Sequence, residues 1–296
     1  MTQAVLRSKS RMPTIRLRLA VGLCISLAGL GVALQSLSAA FWGDSTLRSL
    51  MGSDAVLASA LAGAATGLGA IAVLALRRFD HPRGLAIFMA LSAGMMFSAA
   101  ALSLLAPAVR LTQMPGAADA LLAATLGYVG MALLDRLLPH LHAVPVSSGA
   151  VPVHALRLMV VAIAVHNLPE GFAVGASFGG GDGLGWGTAL SIGLQNIPEG
   201  LIVATALWST GLSRTMAVIV ASASGLLEPL GAAVGTLTVG VNASALPWAL
   251  ALAGGAMVFV VVEELIPEAF KGASPRAAPL SFTLGFFGMA ALLAGA

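Results

Sequence analysis

Of 296 residues, 58% are hydrophobic and only 9% are Asp, Glu, Lys or Arg, against roughly 25% charged in an ordinary soluble domain. So little charge does not cover a water-facing surface, so a soluble globular protein is excluded and lipid is the natural solvent. The basic balance, 15 Lys and Arg against 12 Asp and Glu with a pI near 9.8, does not mark a nucleic-acid face, because the positive residues fall between apolar runs. The single cysteine, Cys24, lies inside an apolar run. That excludes a disulfide framework and a thiolate zinc module.

In chain order, a basic arm (Arg7, Lys9, Arg11, Arg16, Arg18) precedes an apolar run at 17–38. That run outlasts the roughly 7–15-residue core of a signal peptide and reads as a retained span. Further apolar segments follow at 54–76, 84–109, 116–138, 152–177, 185–209, 213–240, 245–268 and 278–296. Each comes near the ~20 residues a helix needs to cross the hydrocarbon. Continuous runs set aside a membrane β-barrel, whose strands alternate. The 35 glycines suit membrane helices that pack backbone to backbone. The expected fold is all-α: a polytopic membrane helix bundle of nine spans.

Alternating spans put thirteen of the fifteen Lys and Arg on one side and leave Arg48 and Arg110 on the other. The positive-inside rule then predicts a cytoplasmic N-terminus and an external C-terminus. Asp135 and Arg136 read as topology and ion-pair residues. His140, His142 and His154 gather at a cytoplasmic connection, where they read as solvated loop histidines or as a metal-collecting cluster.

Ionisable groups at mid-membrane are expensive, by contested scales about 3 kcal/mol or more, and each one is a functional hypothesis. The fifth span holds His166-Asn167-Leu168-Pro169-Glu170-Gly171 and the sixth holds Gln195-Asn196-Ile197-Pro198-Glu199-Gly200, a near-repeat. The seventh span adds Glu228-Pro229. At about 1.5 Å per residue all these groups fall in one layer near the midplane. His166 with Glu170, and Gln195 with Glu199, are i,i+4 neighbours on one helical face. Pro169, Pro198 and Pro229 each lack an N–H and are expected to break their helices, freeing the carbonyls of Val165, Leu194 and Gly225. Freed carbonyls at membrane depth line a cavity or bind a cation. Three glutamates, one imidazole and several amides, with no Lys or Arg at their depth, make a cation site. Imidazole with carboxylate suits Zn²⁺ and its neighbours better than magnesium or calcium. Met96, mid-depth in the third span, is core filler or a thioether donor.

At these residues the sequence resembles the ZIP family (Zrt/Irt-like proteins), especially its GufA-type branch. Ala93-Gly94-Met95-Met96 and Ser103 extend the likeness, which covers about 54–296. It implies a division into a basic arm with an extra helix (1–50) and an eight-helix transporter core (51–296). It implies a binuclear site. One metal takes Met96, His166, Glu170, Gln195 and Glu199; the second takes Asn167, Glu170, Asn196, Glu199 and Glu228, with Glu170 and Glu199 bridging. Asn196 departs from the Asp of some bacterial relatives, which lowers the charge at the second locus. Glu263 and Glu264 read as an exit site or as interfacial carboxylates, with Glu268 nearby.

The resemblance implies influx of Zn²⁺, with Cd²⁺ and other divalent ions, across a bacterial inner membrane, by an elevator-like motion of the metal-carrying helices. Expected partners are divalent metal ions and the lipid bilayer, with a homodimer as the expected assembly and no nucleic acid. No catalytic cofactor is expected. An intramembrane metalloprotease would want His-Glu-x-x-His, which this sequence lacks. A metal exporter or sensor remains open.

Overall fold

The computed structural model describes residues 54–75, 82–112, 117–137 and 153–295. The expected first span, Cys24, and the loop with His140 and His142 lie outside the described residues, as does the side chain of His154. Everything described is helical or connects helices. The helices are α1 (Asp54–Ala75), α2 (Pro82–Ala99), α3 (Ala106–Leu111), α4 (Ala117–Leu137), α5 (Val153–Ser177), α6 (Asp182–Ser209), α7 (Arg214–Gly225), α8 (Glu228–Val241), α9 (Leu246–Phe259), α10 (Ile266–Gly272) and α11 (Ala277–Gly295). Seven continuous or nearly continuous helical stretches are long and apolar enough to cross a membrane. The 25-residue α5, which carries the first hexapeptide, is of the same length class.

Three spans are not simple α-helices. α2 and α3 join through a π-helical turn, Ala100–Leu105, and α9 and α10 join through another, Val260–Leu265. At both, the N–H that closes the turn reaches five residues back: Ala106 to the Ala101 carbonyl, and Ile266 to Val261. A proline follows each at once, Pro107 and Pro267. A proline ring collides with the carbonyl four residues before it, here that of Ser103 or Glu263. Widening the turn relieves the collision, and such bulges recur at functional sites. The seventh span breaks into α7 and α8 at Leu226-Leu227, just before Glu228-Pro229. By contrast, Pro169 and Pro198 sit inside continuous helices. The expectation that the fifth and sixth helices are broken is therefore corrected. Each proline removes one backbone hydrogen bond, yet the helix runs on unbroken past it.

The helices sort into two groups by their packing. α1, α5, α6 and the α7–α8 pair pack chiefly on one another; α2–α3, α4, α9–α10 and α11 do the same. A seam between them is crossed mainly by α2 on α6 and α9 on α5. Within each group, glycine lets backbones touch. A methyl on Gly69 would overlap the Ile197 backbone, and one on Gly255 would overlap that of Ala124. With lipid as apolar as leucine, this close van der Waals fit is the main force left to hold membrane helices together. Leucines left exposed on α4 and α11, among them Leu121, Leu133, Leu280 and Leu284, suit a lipid surround.

Substituting alanine should therefore act in opposite senses at two helical glycines. Gly69→Ala should lower thermal stability by about 1–3 kcal/mol through overpacking. Gly130→Ala, where an added methyl meets nothing within 4 Å, should raise it by about 0.5–1 kcal/mol through helix propensity. Melting of the purified protein in detergent checks both signs.

Candidate metal centre

The two hexapeptides place their polar residues on facing sides of α5 and α6, and their last residues explain how. A methyl on Gly171 would overlap the Glu228 backbone, and one on Gly200 would overlap that of Thr66. The glycine after each glutamate is thus the point where a neighbouring helix is let in: α8 against α5, and α1 against α6. This contact sets the glutamate beside the neighbour's polar groups.

Glu170, Gln195, Asn196 and Glu228 are completely or almost completely buried, as is Asn167. The α6 amides hold the carboxylates of the adjoining helices. Gln195 Nε2 donates to Glu170 Oε1 at 2.8 Å. Asn196 Nδ2 donates to Glu228 Oε1 at 2.7 Å and to the Ala62 carbonyl at 3.0 Å. One amide therefore ties α1, α6 and α8 together. Glu199 lies in electrostatic range of Glu170, Glu228 and His166. The three glutamates form one electrostatic cluster, as their shared depth in the sequence suggested.

Several buried polar atoms in this layer have no hydrogen-bond partner. They are Glu170 Oε2, Glu199 Oε2, Glu228 Oε2, Gln195 Oε1, Asn196 Oδ1 and Asn167 Nδ2. All but the last are acceptors. An unmatched set of buried acceptors, three of them carboxylate oxygens, is costly. A cation is one answer to such a set. Among the described residues no three His, Cys, Asp or Glu side chains converge as a ready metal cage. The donor set is mixed, and the amides of Gln195 and Asn196 stand between the carboxylates.

The remaining expected ligands spread outward from this layer. Met96 is buried in the main apolar core, in a cluster that includes Ala62, Ala93 and Ile192. His166 points across the seam, its Nε2 3.1 Å from Glu264 Oε1 on the Val260–Leu265 turn. The consecutive Glu263 and Glu264, expected as a pair, are divided: Glu263 Oε1 instead accepts from Tyr128 Oη on α4 at 2.6 Å. Glu268 pairs at 3.6 Å with Lys271 at the exposed end of α10. Ser103, on the other widened turn, meets Ser191 of α6 at 3.4 Å between the hydroxyl oxygens.

Sequence reasoning missed Tyr128, Ser191 and the Ala62 carbonyl. A signal existed for the first, the chain's single tyrosine at mid-span. None existed for a backbone oxygen on an alanine.

A family profile described as ZIP zinc transporter matches residues 146–294. The zinc transporter GufA of Myxococcus xanthus is 39% identical over 240 residues, covering 78% of this chain and 94% of that protein. The zinc transporter ZIPB of Bordetella bronchiseptica is 39% identical over 241 residues, 78% of either chain. Human zinc transporter ZIP11 is 38% identical over 172 residues, 53% of this chain and 50% of that protein.

The amide tie makes a prediction about folding alone. Asn196→Ala removes a donor shared by Glu228 and the Ala62 carbonyl, so it should cost about 2 kcal/mol. A melting temperature unchanged from wild type would contradict the bond.

Proposed function

The chain belongs to the ZIP zinc transporter family, and from that premise we propose that zinc crosses the membrane through the buried layer of Glu170, Gln195, Asn196, Glu199 and Glu228. It is a multi-pass membrane protein that transports zinc, and it is not an enzyme. The observation that carries the site assignment is the cluster of partnerless acceptors among those side chains.

The chemistry follows from exchange of donors. The Gln195 and Asn196 amides each offer a donor nitrogen to a carboxylate and keep an oxygen without a partner. Turning such an amide over presents that oxygen to a cation and releases the carboxylate to bind it too. The ion gives up water one ligand at a time, and no charge is left bare in a low dielectric. Binding stays moderate, because each ligand taken by the ion gives up a hydrogen bond; transport needs such binding.

Met96, His166, Glu170, Gln195 and Glu199 form the first locus of the proposed binuclear site. Asn167, Asn196 and Glu228, with the two shared glutamates, form the second. Asn196, which ties Glu228 to α1, leaves that second locus with less negative charge than an Asp would. Imidazole and carboxylate together favour Zn²⁺ and admit Cd²⁺. His166, held at Glu264, leads from the site to the widened turn. We assign Glu264 to the exit, on the side that the positive loop charge marks as cytoplasmic; Glu263, expected beside it, is turned to Tyr128 instead. Influx is the direction proposed, with a sliding of the α1, α5, α6 and α7–α8 group against the rest as the motion. The bilayer covers the exposed leucines, and a homodimer is the expected assembly.

Uptake of radiolabelled zinc into proteoliposomes tests the site. Glu170→Ala and Glu199→Ala should each lower uptake at least tenfold, because each removes a shared charge-bearing ligand; flux equal to wild type in both would remove the assignment. The pH response has a definite sign. Protons compete with metal for carboxylates and imidazole, so acidifying the loading side should raise the apparent KM for zinc. An apparent KM that falls on acidification would contradict ligation by these groups.

A further inference from the structure

The Val260–Leu265 turn sends two consecutive carboxylates to two different helices. Glu263 reaches Tyr128 of α4, and Glu264 reaches His166 of α5 across the seam. Neighbouring side chains lie about 100° apart around an α-helix and less around a wider turn. Fixing the azimuth of one therefore fixes the other.

The turn closes through wider backbone hydrogen bonds than an α-helix has. Pro267 offers no N–H to the Glu263 carbonyl, and the closing bond at Ile266 reaches back to Val261 instead. Tyr128 touches the turn from outside at two points, just before its start and within it. Its ring stacks edge-on against Phe259, the residue just before the turn, with centroids 5.2 Å apart and planes at 78°. Its hydroxyl holds Glu263 within the turn. The α4 and α9 backbones touch in the helical turn just before Tyr128. A methyl on Gly127 would overlap the Leu252 backbone, and one on Gly255 would overlap that of Ala124.

We propose that Tyr128 is a positioning residue for transport: its hydrogen bond to Glu263 sets the rotation of the widened turn and so holds the Glu264 carboxylate at His166. It touches no metal. It keeps the receiving carboxylate aligned with the histidine that delivers the ion, so its loss slows transfer out of the site and leaves capture alone. This rests on the reading of His166 as a ligand and Glu264 as the next station.

Full-length protein in proteoliposomes tests this with zinc itself. Tyr128→Phe keeps the ring and the Phe259 contact and removes only the hydroxyl; Glu263→Ala removes the same bond from the other end. Each should lower the maximal uptake rate about three- to tenfold with KM within about twofold, and neither should lower it further in a Glu264→Gln background, since residues acting through one partner are not additive. Tyr128 is the chain's one tyrosine, so the tyrosine doublet of the ultraviolet resonance Raman spectrum reads its hydroxyl directly. That doublet should shift from strong donor to weak donor in Glu263→Ala. Should Tyr128→Phe fail to give a monodisperse, helical protein, Glu263→Ala carries the test alone.

Wild-type rates in the folded variants, or the same fractional loss with and without Glu264→Gln, would overturn the proposal while leaving the transport site intact. A Glu264→Gln protein that transports like wild type would instead remove Glu264 from the exit path, and the proposal with it.

Discussion

A carboxylate oxygen buried inside a helix bundle must be answered by a donor or a cation, and this requirement organises the molecule's centre. Glu170 and Glu228 are fully buried, and each has one oxygen answered by an α6 amide and one left over. Among the unpartnered site atoms only Asn167 Nδ2 is a donor. A donor-rich network would brace the helices and end there. An acceptor-rich one keeps a standing demand for positive charge.

Glycine follows each motif glutamate where a neighbouring helix comes closest. The Gly200 contact joins α6 to α1, as the Asn196–Ala62 bond does, while the amide–carboxylate bonds run from α6 to α5 and α8. Gly171 and Gly200 give up their side chains at the contacts with α8 and α1. The polar chemistry and the backbone packing are thus one device: proline relaxes a helix, glutamate supplies charge and glycine brings the neighbour to it.

Much of this was legible in the sequence. The helices with described ends begin and stop within a few residues of the apolar runs, because hydrocarbon thickness fixes their length. The gathering of Glu170, Glu199 and Glu228 followed from depth and from the repeated hexapeptide. Local backbone geometry was not legible. Pro169, Pro198, Pro107 and Pro267 look alike in a sequence, yet the first two sit in unbroken helices and the last two follow widened turns. Nothing local in the sequence separates the two outcomes. The division of Glu263 from Glu264 was hidden for the same reason, since it depends on the widened turn and on the distant Tyr128.

The Asn196 amide joins α6 to a main-chain oxygen of α1 as well as to Glu228. A main-chain oxygen does not swing aside as a side chain does. The spacing of the ligand groups is therefore inherited from the spacing of helix axes, which the glycine contacts hold at their minimum. It follows that residues without a polar side chain set the spacing of the buried layer: bulk added at Gly200 would part α1 from α6 and stretch the Asn196–Ala62 bond.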